Sequence, residues 1–199
     1  MQGTKMGRSK TAGEARRCLD LWKKSGEIET LLPEVAALRG VPQPEEYHRE
    51  GDVYTHTLLA LESVAEDEDE RIFWAVLLHD LGKATVTRYE GGRWRARGHA
   101  EAGADAVRNV MQRVGKQAIA ADVAWLVRHH HFYFSWGKIG KRGLSKRQRQ
   151  FCRHPLFPLL LRVVEADAAG SVGASRKGRL IARIRALAEG VLPGLSLTV

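Results

Sequence analysis

Several things are scarce in these 199 residues. There are two cysteines, Cys18 and Cys152, far apart and in no CxxC pattern. A CxxC redox or zinc motif is therefore absent, and a reduced cytoplasmic chain is the expectation, with a single Cys18–Cys152 bridge as the alternative. No apolar run approaches the roughly 18 residues of a membrane span, so no membrane partner is expected. The N-terminus, MQGTKMGRSKTAGEARR, is basic but lacks the apolar segment and cleavage pattern of a secretory leader. Residues 1–11 read as a loose tail, with Met6 as an alternative start. Internal repeats and low-complexity tracts are also missing. Acidic residues are missing from one long stretch, 136–154 (WGKIGKRGLSKRQRQFCRH).

What is present is ordinary in bulk: 44% apolar and 28% charged residues, enough chain for one domain with a real core. The charge is not ordinary. A net +9 favours polyanions, and the cations are concentrated. Lys138, Lys141, Arg142, Lys146, Arg147, Arg149 and Arg153 form one run; Arg176, Lys177, Arg179, Arg183 and Arg185 form a second. Either run could be a solvated surface; two together point to a face that tracks phosphates, whether of RNA, DNA, nucleotides or a ribosomal surface.

Helical periodicity dominates and predicts an all-α bundle. EARRCLDLWKKSG and EIETLLPEVAALRG read as two helices, each closed by glycine. A Pro- and Gly-rich connector follows, in which His48 is expected to be exposed. Asp52 reads as the N-cap of DVYTHTLLALESVAE, and DEDERIFWAVLLHDLG has an acidic first turn and a terminal glycine. Residues 84–98 break the pattern around Gly91-Gly92 and predict a small hairpin or extended loop near 85–97. Helices resume with AEAGADAVRNVMQRV, KQAIAADVAWLVRHHH, PLFPLLLRVVEADAAG and RLIARIRALAEGV. The expected organisation is one domain over 12–199: lead-in helices and connector to 50, a core over 52–170, and a C-terminal helix near 176–192.

Three helices place polar groups on faces that should be buried. Ile72, Val76, His79, Asp80 and Lys83 share one face; His56 lies in a row with Val53, Ala60 and Val64; Asp167 ends the stripe of Leu160 and Val164. A lone inward histidine is usually a hydrogen-bonded core residue. Two imidazoles and two carboxylates inside one bundle would cost several kcal/mol per unpaired charge. A divalent cation held by His56, His79, Asp80 and Asp167 removes that cost, and two nitrogens with two oxygens suit manganese, iron, cobalt, nickel or zinc. His99 starts a helix after the hairpin, and of His129, His130 and His131 the periodicity turns His130 inward. Both could serve a second metal or a phosphate, or His130 could simply satisfy a helix end.

These residues, in this order, resemble the H…HD…D pattern of the HD-domain metal phosphohydrolases. LLPEVAALRGVPQPEEYHREGDVYTHTLLAL, LLHDLGK, GHAEAGA and VVEADAAGS look like landmarks of the HD region of bacterial CCA-adding tRNA nucleotidyltransferases and poly(A)-polymerase-like proteins. The likeness covers roughly residues 12–190. The nucleotidyltransferase head of those enzymes has no counterpart before residue 50, so nucleotide addition is not expected. The resemblance implies hydrolysis of 2′,3′-cyclic or terminal phosphates of nucleotides or RNA ends. One or two ions (Mn, Fe, Co or Ni) would activate water, with Asp80 bridging if His99 and His130 hold a second. With one ion, His99 or His130 could donate a proton or bind phosphate. Lys83 would steady the phosphate or complement a helix dipole; Asp52 would cap its helix or orient His56. Lys138, Lys141, Arg142, Lys146 and Arg147 would bind phosphate or RNA. Trp94, Tyr133, Phe134 and Trp136 could stack bases, with core packing the favoured role. Two alternatives remain open: a hydrolase of small nucleotides (dinucleoside polyphosphates or monophosphates), and a non-catalytic RNA-binding accessory with a structural metal.

Overall fold

The computed structural model describes residues 11–136, 143–173 and 177–191. It is a helical bundle with one small antiparallel hairpin, as the periodicity predicts. In chain order the helices are α1 (Ala12–Ser25), α2 (Ile28–Leu31), α3 (Pro33–Ala36), α4 (Val53–Glu62), α5 (Glu70–Leu78) and α6 (Lys83–Val86). After strands β1 (Arg88–Glu90) and β2 (Arg93–Arg95) come α7 (His99–Arg113), α8 (Ala120–His129), α9 (Phe132–Ser135), α10 (Lys146–Cys152), α11 (Phe157–Gly170) and α12 (Lys177–Glu189). None among the described residues is long and apolar enough to cross a membrane.

The bundle is built around α5. Residues 72–78 are all buried, so this helix is apolar on every side and serves as a core element rather than an amphipathic one. It packs against α1, α4, α8 and α11. Its start is fixed by Asp69, whose carboxylate accepts the Arg71 N–H. Asp52 caps α4 by accepting the Thr55 N–H at 2.8 Å and also takes the Gly40 N–H at 2.6 Å, so capping is its role.

Four details depart from the sequence expectation. The helix expected over 27–40 is broken into α2 and α3, because Pro33 has no N–H to continue the ladder. Residues 84–86, expected to open a small hairpin or extended loop, belong instead to a helical turn that starts at Lys83. Helix α10 was not foreseen, although Ser145 and Gln148 form a reciprocal capping box. Thr11, assigned to the tail, bridges Asp69. Cys18 and Cys152 are both free thiols.

Two close approaches determine how the elements meet. At Gly170 a Cβ would lie 2.7 Å from the Ala60 backbone nitrogen, so the glycine lets α11 press onto α4. At Gly82 a Cβ would lie 2.1 Å from the His99 carbonyl oxygen and 2.8 Å from the Gly103 nitrogen. Backbone against backbone at these points brings the ends of α4, α5, α7 and α11 to one place.

Candidate metal centre

That place gathers His56, His79, Asp80, His99, His130 and Asp167, all buried. His56 is one turn into α4. His79 caps the C-terminus of α5 and Asp80 lies in the turn that follows, where the Lys83 N–H bonds the Asp80 carbonyl. His99 opens α7 behind Gly98, whose φ of 78° turns the chain into the helix. His130 caps α8, and Asp167 lies in the last turn of α11.

The four imidazoles are anchored the same way. Each Nδ1 faces an acceptor: His79 the Val76 carbonyl at 2.7 Å, His99 the Ala96 carbonyl at 2.6 Å, His130 the Val127 carbonyl at 2.7 Å, and His56 the Glu50 carboxylate at 3.0 Å. Donating at Nδ1 leaves Nε2 as the free face of each ring, which is how second partners orient histidine ligands. The Nε2 atoms converge on the carboxylates. His79 is 3.1 Å from Asp80 Oδ2 and 3.9 Å from Asp167 Oδ1; His56 is 3.1 Å from Asp167 Oδ1 and 3.9 Å from Asp80 Oδ2. On the other oxygen of Asp80, His99 stands at 3.4 Å and His130 at 3.9 Å, with their Nε2 atoms 3.3 Å apart. Asp80 thus turns one oxygen to each pair of rings.

The donor set fits a divalent ion. Ligands about 2.1 Å from a metal lie roughly 3.0 Å apart at right angles and about 3.4 Å apart at tetrahedral angles. The closer contacts, 3.1 to 3.4 Å, fall in that range. Asp80 Oδ1 and His79 Nε2 are buried with no hydrogen-bond partner among the described residues, while Asp80 Oδ2 is met by the Lys83 ammonium at 2.8 Å; a divalent cation would complete the two unmet groups.

The electrostatics agree. Burial works against charge on Asp80 and Asp167, but His79 and Lys83 beside the first, and Lys177 and His56 beside the second, hold both well below the usual carboxylate range. Burial also opposes charge on His56, yet its contacts with Asp167 and Glu50 raise it to about 9. Without metal that ring carries its Nε2 proton at neutral pH, and a metal must displace it. Burial drives His130 well below the ordinary range; it also lowers His99, with only Asp80 opposing it strongly, so both rings are neutral.

Of the remaining candidates, Lys83 reaches inward, its Nζ 2.8 Å from Asp80 Oδ2 and donating to Gln43 Oε1 at 2.7 Å. His48 departs from expectation. The connector folds back over α4 and buries it against the His56 ring, with Nδ1 2.7 Å from Glu50. Burial lowers it to about 4. Glu50 was missed altogether. Its Oε1 serves both His48 and His56 while Oε2 accepts the Val172 N–H, and these bonds outweigh burial to bring it to about 2. Lys177, counted only as part of a basic run, donates to Asp167 at 3.0 Å. His131 lies near His99 and His130 as well. Tyr133 is buried and Trp136 packs on Phe132, while Phe134 and Trp94 remain exposed. Lys146 and Arg147 are exposed on α10; Lys138, Lys141, Arg142 and Arg176 lie outside the described residues.

The family model for the HD domain matches residues 52–165, and the chain belongs to that family. Membership implies a metal-dependent phosphohydrolase. Within the family the chain is similar to the HD region of proteins named multifunctional CCA protein. That of Halorhodospira halophila is 44% identical over 119 residues, 59% of this chain and 28% of the relative. That of Alkalilimnicola ehrlichii is 38% identical over 160 residues, 76% and 37% respectively. That of Neisseria meningitidis is 36% identical over 162 residues, 78% and 38%. The chain therefore spans less than two-fifths of the length of these relatives.

Proposed function

We propose that the protein is a metal-dependent phosphohydrolase acting on 2′,3′-cyclic or terminal phosphates of nucleotides or RNA ends. One observation carries the reading: four imidazole Nε2 atoms and two carboxylates from five helix ends converge, with every Nδ1 tied off behind them. His56, His79, Asp80 and Asp167 would hold one ion, and His99 and His130 a second, shared through Asp80. When bound, such an ion lowers the pKa of water and polarises a phosphoryl oxygen.

The chain's own groups supply the rest. The Lys83 ammonium, between Asp80 and Gln43 on the cavity wall, would meet a phosphoryl oxygen. His99 and His130, neutral and without a proton on Nε2, suit binding better than proton donation. For a cyclic phosphate, the water oxygen adds to phosphorus and one of the two ester P–O bonds breaks. The freed ribose oxygen takes a proton, leaving a monoester.

RNA ends are preferred over small nucleotides because a groove leads away from His99. A groove of about 1580 Å³ runs from His99 and His131 past Arg97, Lys146, Arg147 and Arg153. Trp125 and His154 stack on its wall at 3.9 Å. Cations interleaved with aromatics suit a nucleic-acid strand. The test is hydrolysis of 2′,3′-cyclic AMP and of an RNA bearing a 2′,3′-cyclic end, with Mn, Fe, Co or Ni. The expected result is turnover abolished by Asp80→Asn and inhibited by unmodified RNA. No turnover with any metal refutes the hydrolase, and indifference to RNA refutes the polymeric substrate.

A further inference from the structure

We infer that the β1–β2 hairpin is a nucleobase platform, on which Tyr89 and Trp94 stack the base of the nucleotide whose phosphate enters the site. This rests on the phosphohydrolase reading and names what that site recognises besides phosphate.

The register pairs Arg88 with Arg95, Tyr89 with Trp94 and Glu90 with Arg93. Side chains alternate along a strand, so Tyr89 and Trp94 share one face, which Thr87 and Ala96 extend. All four line the same cavity of about 1360 Å³ as Lys83, His99 and His131. The two rings meet edge to face at 5.1 Å, yet Tyr89 stays 62% exposed and Trp94 37% exposed. A cross-strand aromatic pair helps hold a three-residue hairpin together. That accounts for the contact between the rings, not for both staying exposed on the lining of this cavity.

The hairpin is also tied to the chemistry at both ends. It leaves α6, which starts at Lys83, and it returns to Ala96, whose carbonyl oxygen receives the His99 Nδ1 proton. A base on the platform is thus held by the same segment that positions two groups of the site. Arg93, Arg95 and Arg97 also line this cavity; Arg93 and Arg95 alternate with the aromatic pair along the hairpin, and with Lys83 these cations outnumber Glu45 and Glu46, so the cavity suits an anion that also carries a flat π face. A nucleoside phosphate has both. Stacking is tolerant of base identity, so recognition should be general rather than base-specific.

The test compares wild type with Trp94→Ala and Tyr89→Ala on 2′,3′-cyclic AMP and on glycerol 1,2-cyclic phosphate, which has the same ring and no base. Stacking predicts that Trp94→Ala lowers kcat/KM for the nucleotide about tenfold more than for the base-less ester, mainly through KM. Trp94→Phe should restore most of the difference. Equal losses on both substrates overturn the platform. If wild type cleaves neither, the hydrolase reading has failed while the platform is still tested by binding of 2′-AMP in calorimetry. Weaker binding by Trp94→Ala supports it, and unchanged binding overturns it.

Discussion

Replacing Gly82 by alanine tests how the site is assembled. The added Cβ would meet the His99 carbonyl oxygen at 2.1 Å and the Gly103 nitrogen at 2.8 Å, both backbone atoms that no rotamer change can move. Non-bonded heavy atoms pack at roughly 3.5 Å, so the first turn of α7 must withdraw by about 1 Å or more. Overpacking of this kind costs about 1–3 kcal/mol, and each kcal/mol lowers Tm by roughly 2–4 °C in a chain of this size. The larger effect is on chemistry. His99 Nε2 stands 3.4 Å from Asp80 Oδ1 and 3.3 Å from His130 Nε2, so the same movement pulls one ring out of the cluster. A misplacement of about 1 Å can cost on the order of a hundredfold in rate. Gly103→Ala is the graded control: its Cβ would approach the Gly82 nitrogen at 3.2 Å and a Val127 methyl at 3.4 Å, so its losses should be smaller. Thermal melts, ions bound per chain and turnover would be measured for both. A Gly82→Ala protein with wild-type Tm, metal content and rate would refute the reasoning.

Glu50→Ala leaves the Nδ1 groups of His48 and His56 and the Val172 N–H without their acceptor, and should weaken metal binding about 10- to 100-fold, with Glu50→Gln less affected. Calorimetric metal titration checks it, and wild-type affinity in the alanine variant would count against Glu50 as the orienting group. Because His56 is raised to about 9, metal uptake at pH 7 should release close to one proton from it, falling to about half near pH 9. Titrations in buffers of different ionisation enthalpy read this directly. Stability of the metal-free protein should peak near pH 6.5. His48 and His131, lowered by burial to about 4 and about 3, contribute stability present above their unfolded value of about 6.5 and lost as pH falls. His56 contributes stability that is full below about 6.5 and lost as pH rises through about 9. Chelated protein denatured by urea across pH 4–10 should show that maximum; a steady rise to pH 9 would contradict it.

The helices, the hairpin and the inward faces of His56, His79, His130 and Asp167 were legible in the sequence because each is a local property. Periodicity of 3.6, an N-cap at Asp52 and glycines after helices act within a few residues. The capping box of Ser145 and Gln148 is an equally local signal, set within a run of positive charge. Glu50 and the ion pair of Lys177 with Asp167 had no such signal, since a loop carboxylate and one lysine in a basic run look the same whether they face water or a neighbouring helix.

Residue types and their order along the chain were enough to define a helical bundle with imidazoles and carboxylates at particular helix ends. Which of those groups touch was decided by packing. Gly170 against Ala60 joins segments far apart in sequence and Gly82 against His99 closes the chain across the hairpin, and both contacts depend on backbones meeting where a side chain would have kept them apart.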